Sequence, residues 1–457
     1  MASLADGAEP APPPMERVAQ RRLFSWYLFD WASQPYNTLL LTFIFAPYLT
    51  DLIGSGAEAQ AVWGLTVGLA GLVMAILSPV LGAVADASGR RMPWIWGFSG
   101  LYVVGSAGLW FAVPGAETLW PILGLFALGL IGMECATAFT NAMLPGLAPR
   151  AELGRVSGTG AAVGYAGGLV ALLIALGFLA EGAETGVTLF GFAPAFGLDA
   201  AAREGTRFVG PFTAVWYGLF MVPFFLTIRD RAAGPRAPVD LVAGLRRVGA
   251  TIRRLPRTPS LARFLAASML YRDALSGLYV FGGIYAAGVM GWTIPEIGVF
   301  GIVAILASAV SAWLGGLADR RFGPMPVVAV SIAVLIAVSG ALVLVSPDSL
   351  FGLPVAPGSR LPDVGFYLLG ALIGAAGGAL QAASRTLMVA QAPGARMTEA
   401  FGLYALAGKA TSFVAPMSIA AVTALTGSQQ LGILPVLGLL GLSLWLLKGV
   451  RTDGDAG

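Results

Sequence analysis

Gly82-Ala-Val-Ala-Asp86-Ala-Ser-Gly89-Arg90-Arg91 closes a long apolar run, and the same skeleton returns at Gly315-Gly-Leu-Ala-Asp319-Arg320-Arg321. Glycine and aspartate four residues apart share one helix face. The glycine lets a neighbouring helix come close, while the carboxylate reaches toward the basic residues of the turn. A basic loop that merely obeys membrane topology would explain the arginines but not the matched spacing. The pair reads as a latch used once in each half of the chain, built from Gly82, Asp86, Arg90 and Arg91 and from Gly315, Asp319, Arg320 and Arg321.

With 57% hydrophobic and 11% charged residues and a mean hydropathy of +0.80 over 457 residues, the chain is an integral membrane protein. A span takes about 20 apolar residues. Twelve such runs are expected, six within 23–228 and six within 263–449, which makes this an all-α membrane protein. Between them, 229–262 reads as a basic linker. The stretch from Arg229 to Arg263 carries nine arginines, with prolines at 235, 238, 256 and 259, and an amphipathic helix resting on anionic lipid is expected around Leu241 to Leu255. Residues 1–22, with Pro12 to Pro14 and no apolar run before Phe24, read as a disordered tail rather than a leader. Residues 450–457 read as a second tail.

Charge orients the spans. With the N-terminus inside, 21 of the 27 Lys and Arg fall in cytoplasmic segments, three outside (Arg203, Arg207, Arg360) and three within spans (Arg272, Arg385, Lys409). Both termini are therefore expected in the cytoplasm. The formal charge of +3 reflects this topology, and no folded basic face is left for nucleic acid. Arg outnumbers Lys 25 to 2 in an Ala- and Gly-rich chain, which suggests a GC-rich bacterial genome and a bacterial plasma membrane.

The two groups of spans repeat one another. Asp30 maps to Asp273, Pro149 to Pro393 and Asp86 to Asp319, in the same order and at nearly constant offset. Parallel halves of this kind place a binding site near the midplane where they meet. Chemistry is then sought among ionisable residues inside spans: Asp30, Glu134, Arg272, Asp273, Arg385 and Lys409. Each costs about 2.5–3.5 kcal/mol at a helix centre unless it meets a partner or water. Glu134, Thr137 and Asn141 share one face, as do Gln381 and Arg385, and Lys409 and Ser412. Acids from the first half and bases from the second suit a dipolar or anionic solute. Arg272 beside Asp273 also fits an internal ion pair.

Other chemistries fail. Gly408-Lys409 resembles the end of a phosphate-binding loop, but Ala410 replaces the Ser/Thr and Leu403 the glycine. With no histidine and one cysteine, Cys135, neither a structural zinc site, an intrachain disulfide nor a histidine-based nucleophilic site can form. The chain does not read as an enzyme, and no cofactor is expected.

Longer strings carry a resemblance. Phe29-Asp-Trp-Ala-Ser-Gln-Pro-Tyr-Asn-Thr38, Phe139-Thr-Asn-Ala-Met-Leu-Pro145, Gly154-Arg-Val-Ser-Gly158, Gly283-Ile-Tyr-Ala-Ala-Gly-Val289, Gln381-Ala-Ala-Ser-Arg385 and Phe401-Gly-Leu-Tyr-Ala-Leu-Ala-Gly-Lys-Ala-Thr411 are similar to those of the major facilitator superfamily branch that contains the autophagy-related vacuolar amino-acid effluxers. The resemblance covers about residues 20 to 450. It implies the major facilitator fold, alternating access between two six-helix halves, and amino acids as solute. It adds Tyr36, Asn37 and Tyr404 to the substrate-binding set of Asp30, Glu134, Asn141, Arg272, Asp273, Gln381, Arg385 and Lys409. Arg385 and Lys409 would meet the solute's negative group, and Asp30 or Glu134 its ammonium or a coupling proton. Where this branch usually has Asn-Ser-Ala, the chain has Ser33-Gln34-Pro35, and Pro35 is expected to bend the first span. A monomer in the bilayer is expected. A transporter-like scaffold or assembly factor, or a carrier of lipid- or pigment-like molecules, is the alternative.

Overall fold

The computed structural model describes residues 14–88, 91–115, 118–143, 147, 153–229, 253, 255–391, 404, 407–408, 410–452 and 454–456; side chains at 14–19, 78–88, 142, 153–155, 157–158 and 456 fall outside the description. The expected linker helix and the tail before residue 14 thus lie largely outside the described residues. The chain alternates between two faces of a helical bundle. We call the face carrying both chain ends terminal and the opposite one distal.

The first half contains α1 (Pro14–Pro35), α2 (Phe45–Ile53), α3 (Gly56–Ser88), α4 (Met92–Gly108), α5 (Trp120–Ala142), α6 (Leu153–Ile174) and α7 (Glu204–Thr227). The second contains α8 (Pro259–Met290), α9 (Ile294–Phe322), α10 (Pro324–Val343), a short hairpin of β1 (Ser349–Leu350) and β2 (Leu353–Pro354), α11 (Leu361–Gln391), α12 (Val414–Thr426), α13 (Gln429–Gly432) and α14 (Leu434–Leu447). Among the described residues, ten helices are long and apolar enough to span a membrane, with α1 and α2 counted as one crossing, Gln20–Ile53. The shorter α4 and α12 occupy the third and eleventh positions, so the arrangement is consistent with twelve.

Two expectations need correction at the ends. Helix α1 begins at Pro14, so residues 14–22 are helical rather than part of a tail. The C-terminal segment is not loose either: Asp455 accepts hydrogen bonds from the amides of Ser260 (2.9 Å) and Leu261 (3.1 Å) and caps α8 from outside its own sequence.

The bend expected at Pro35 takes the form of a wider helix. Pro35 has no amide to donate, and Tyr36–Phe43 follow as a π-helical stretch before α2. Gly54, Gly291 and Gly427 end α2, α8 and α12 in the left-handed conformation that glycine adopts without strain. Helix α9 starts on a capping box, in which Glu296 accepts from the Thr293 amide at 2.8 Å.

Each half has an aromatic core. In the first, the Tyr102 and Tyr217 rings stack at 3.9 Å and Trp63 meets Phe126 at 4.4 Å; in the second, Tyr285 stacks on Phe366 at 5.9 Å. The halves touch through glycines in the distal part of the bundle. A methyl on Gly283 would collide with the Thr42 carbonyl oxygen, and one on Gly64 would stand 2.7 Å from that of Pro416. Small residues of this kind let helices of the two halves approach backbone to backbone.

Candidate functional site

The gap between the halves is bridged near mid-depth by polar side chains. Tyr165, about 18 Å along α6 from Leu153 at 1.5 Å per residue, is 44% exposed. It lies within hydrogen-bonding reach of Gln381 on α11 and close to the charge of Arg385, one turn nearer the terminal face. Gln381 also reaches Tyr279 on α8, which in turn reaches Ser308 on α9. The sequence pointed to Gln381 and Arg385 by their four-residue spacing. It gave no reason to single out Tyr165 or Tyr279, one aromatic among many on apolar helices.

A second polar group sits beside it. Arg272 donates to the Tyr404 carbonyl oxygen at 2.9 Å, and its guanidinium lies over the Tyr404 ring at 4.4 Å. Gly408 leaves room for it, since a Cβ there would strike the guanidinium. The Tyr404 hydroxyl bonds Ser384 Oγ at 2.7 Å, and Tyr271 shares the same Ser384 oxygen. Arg385, the neighbour of Ser384, is exposed.

Arg272 and Asp273 do not form the pair that their adjacency suggested. Successive helix residues point about 100° apart. Asp273 turns away, and its Oδ2 accepts from the Ala415 amide at 2.8 Å, at the start of α12.

On the first half, Asn37 Nδ2 lies 3.9 Å from Met133 Sδ, next to the half-buried Glu134. Thr137 spends its hydroxyl on the Met133 carbonyl oxygen, and Asn141 is exposed. Asp30 packs against α6, where a Cβ on Gly160 would stand 2.6 Å from its Oδ2. Tyr36 is fully buried, and its hydroxyl donates to the Phe126 carbonyl oxygen. Lys409 and Arg90 lie outside the described residues, as do the surroundings of Gly82 and the side chain of Asp86.

Of the two elbows, the second is visible. Gly315 does admit a close neighbour, since a Cβ there would stand 3.0 Å from Ala379. Asp319 is half-buried, and Arg320 and Arg321 are exposed on the terminal face. Arg203, on the distal side, pairs with Asp51 and Glu181.

The distal face is shut by uncharged groups that the sequence analysis missed. Gln60 of α3 donates to Thr423 Oγ1 of α12 (2.8 Å) and to the Gln429 carbonyl oxygen (3.1 Å). Gln429 donates back to Gln60 Oε1 (3.1 Å) and to the Ile284 carbonyl oxygen (3.3 Å). Both amides are buried, and Gly56, Gly288 and Gly432 make the space they fill. Gln60 near the start of α3 and the Gln429-Gln430 pair that opens α13, each near glycines, are the faint signal available beforehand.

Comparison with known proteins agrees with this frame. The vacuole effluxer Atg22-like family matches residues 50–455. The chain is 25% identical over 437 residues to an uncharacterized MFS-type transporter, YxiO, of Bacillus subtilis, covering 94% of each. It is 25% identical over 306 residues to autophagy-related protein 22 of Cryptococcus neoformans var. neoformans serotype D, covering 65% of this chain and 50% of that protein. Among solved structures, a D-xylose–proton symporter superposes with a TM-score of 0.66 at 12% identity, over 96% of this chain and 99% of that one, and so shares its fold. A bundle of two halves meeting at a polar mid-depth bridge, matched over most of its length, is a member of the vacuole effluxer Atg22-like family and a transporter of the major facilitator type.

Proposed function

We propose that the chain moves small zwitterionic solutes, amino acids among them, across a bacterial plasma membrane, with both termini in the cytoplasm. The observation that carries this reading is the Tyr165–Gln381–Tyr279 bridge with Arg385 one turn below it. A solute entering the gap meets hydroxyl and amide groups from both halves, a guanidinium on one side and, on the other, the helix that carries Glu134. Arg385 is a bidentate partner for a carboxylate. Glu134 or Asp30 is the acid for the ammonium. On this reading the closed distal amides belong to the inward-facing state, and the exposed Arg320 and Arg321 to a latch that engages in the opposite state.

A lipid or pigment carrier would need a long apolar cleft. Among the described residues, an apolar cavity bounded by Phe43, Leu278, Phe300 and Phe366 measures about 40 Å³, too small for an acyl chain.

The test is thermal stabilisation of the purified chain across a panel of amino acids and related metabolites. A ligand at about a hundred times its dissociation constant adds roughly 2.7 kcal/mol. Arg385→Gln should weaken binding of a responding solute about tenfold or more, since a charge-assisted hydrogen bond contributes about 1.5–3 kcal/mol. A solute whose stabilisation is unchanged in Arg385→Gln would remove this residue from the site, and a panel without any response would favour the scaffold reading.

A further inference from the structure

Asp273, on α8, faces an unusual place in the eleventh crossing. Residues 411–413 form a turn, and α12 begins only at Val414. Across from this break, Asp273 is 3% exposed. Its Oδ2 accepts from the Ala415 amide, whereas Oδ1 is buried with no hydrogen-bond partner. The ionised form is held by the positive end of α12 through one oxygen only, and the other has lost its water without compensation. A proton on Oδ1 removes the charge and leaves Oδ2 free to accept from Ala415. Either form fits the cap, but only the charged one attracts the helix dipole.

Among the described residues, the charged groups nearest this carboxyl are engaged elsewhere. On its own helix, Arg272 turns to Tyr404 and Arg263 to the Gly449 carbonyl oxygen. On α11, Arg385 lies near Tyr165, and the Tyr271 and Tyr404 hydroxyls are taken by Ser384. Asp455 caps the far end of α8. Lys409 lies outside the described residues.

The other end of the same helix closes the distal face. Thr423, about 12 Å further along α12 at 1.5 Å per residue, accepts from Gln60. The repeat gives a contrast: Asp30, the counterpart of Asp273, faces the corresponding helix α6 where that helix is unbroken and lined by Gly160 and Gly164.

We propose that Asp273 is a proton-exchanging residue of the transport cycle, its ionised form seating the start of α12 and so holding the distal face closed, its protonated form releasing it. This rests on the alternating-access reading above. One proton adds to the carboxylate as the charged seat is lost; the Gln60–Thr423 bond breaks on opening, and no covalent bond other than that O–H changes.

The experiment needs no solute. Spin labels at Ala57→Cys and Ser346→Cys, in a Cys135→Ala background of the full chain, report the distance across the distal face between the halves. In the parent, the open population should rise roughly five- to thirtyfold from about pH 8 to about pH 5, the range that one or two kcal/mol represents. Asp273→Asn, a mimic of the protonated acid, should hold the low-pH population at every pH. Ala415→Pro removes the amide donor at a first-turn position where proline is tolerated, and should likewise give a raised, pH-independent open population; it carries the test if Asp273→Asn does not fold. Retention of the parent's pH response in either variant overturns the proposal. If Gln60→Leu opens the distal face while pH does not, alternating access stands and the proposal falls. A single fixed distance in every protein, Gln60→Leu included, sinks both.

Discussion

Gln429→Leu should open the distal face. The change strands the buried Gln60 Oε1, which loses its donor Gln429 Nε2, while Gln60 Nε2 keeps Thr423 Oγ1 and the carbonyl oxygen of residue 429. A buried polar group left unsatisfied costs about 1–3 kcal/mol. The closed state bears that cost, whereas the open state exposes Gln60 to water. The closed population should therefore fall by roughly five- to 150-fold, the range such energies represent. Gln60→Leu should act in the same direction. The double variant should lose less than the two single changes added together, because two apolar side chains of similar shape can pack where two amides bonded. Distal spin-label distances and initial rates of solute movement give the answer. Single variants that resemble the parent in both would show that the amides are packing groups and not a gate.

The second large effect is on stability. Arg203 is 8% exposed and joins Asp51 (3.0 Å) and Glu181 (3.3 Å). Glu181, wholly buried, accepts further bonds from the Thr206 amide and hydroxyl. This cluster ties the connection between α6 and α7 to the distal end of α2. Arg203→Ala leaves Glu181 buried without its cation, a loss of about 3–5 kcal/mol. Arg203 also sits at φ 56°, in the left-handed region. Arg203→Gly should thus recover about 1 kcal/mol of the loss by relieving the backbone.

The pH dependence of this loss is specific. Burial pushes the Glu181 carboxyl above its ordinary value, against the pull of its hydrogen bonds and of Arg203. A carboxyl raised on folding contributes stability that is full below its unfolded value and fades as pH rises through its folded one. Without Arg203 the ionised form is worse still. The melting temperatures of parent and Arg203→Ala should therefore converge on acidification and diverge toward alkaline pH, while Glu181→Gln should show a flatter profile than either. A gap between parent and Arg203→Ala that is constant with pH would mean that Glu181 is not the group left unpaired.

The architecture was legible because hydrophobicity is a local quantity. Ten of the twelve apolar runs return among the described residues as helices long enough to cross, and charged elbows recur once per half of the sequence. The correspondence of Asp30 with Asp273 also survives in space, where each aspartate faces the fifth helix of its own half. Which face of an apolar helix looks into the gap is a different kind of information. Tyr36 and Tyr165 have the same side chain on helices apolar all round, yet one packs the core and the other meets Gln381. Spacing predicted contact only where polarity broke the apolar background, as at Gln381 and Arg385. Adjacency misled at Arg272 and Asp273, because neighbours on a helix diverge. The reciprocal amides of Gln60 and Gln429 lie hundreds of residues apart and join only after both halves have packed.

The neutrality of the distal closure bears on energy coupling. An electric field does work only on charge that moves, about 2.3 kcal/mol for each elementary charge carried across 100 mV. Gln60, Gln429 and Thr423 carry none at any pH, so parting them is electrically silent. The membrane potential cannot pry this door open by itself. It can drive the cycle only through what passes, the net charge of the solute and of any proton travelling with or against it. Charge movements recorded without solute should then carry no component from the parting of these amides.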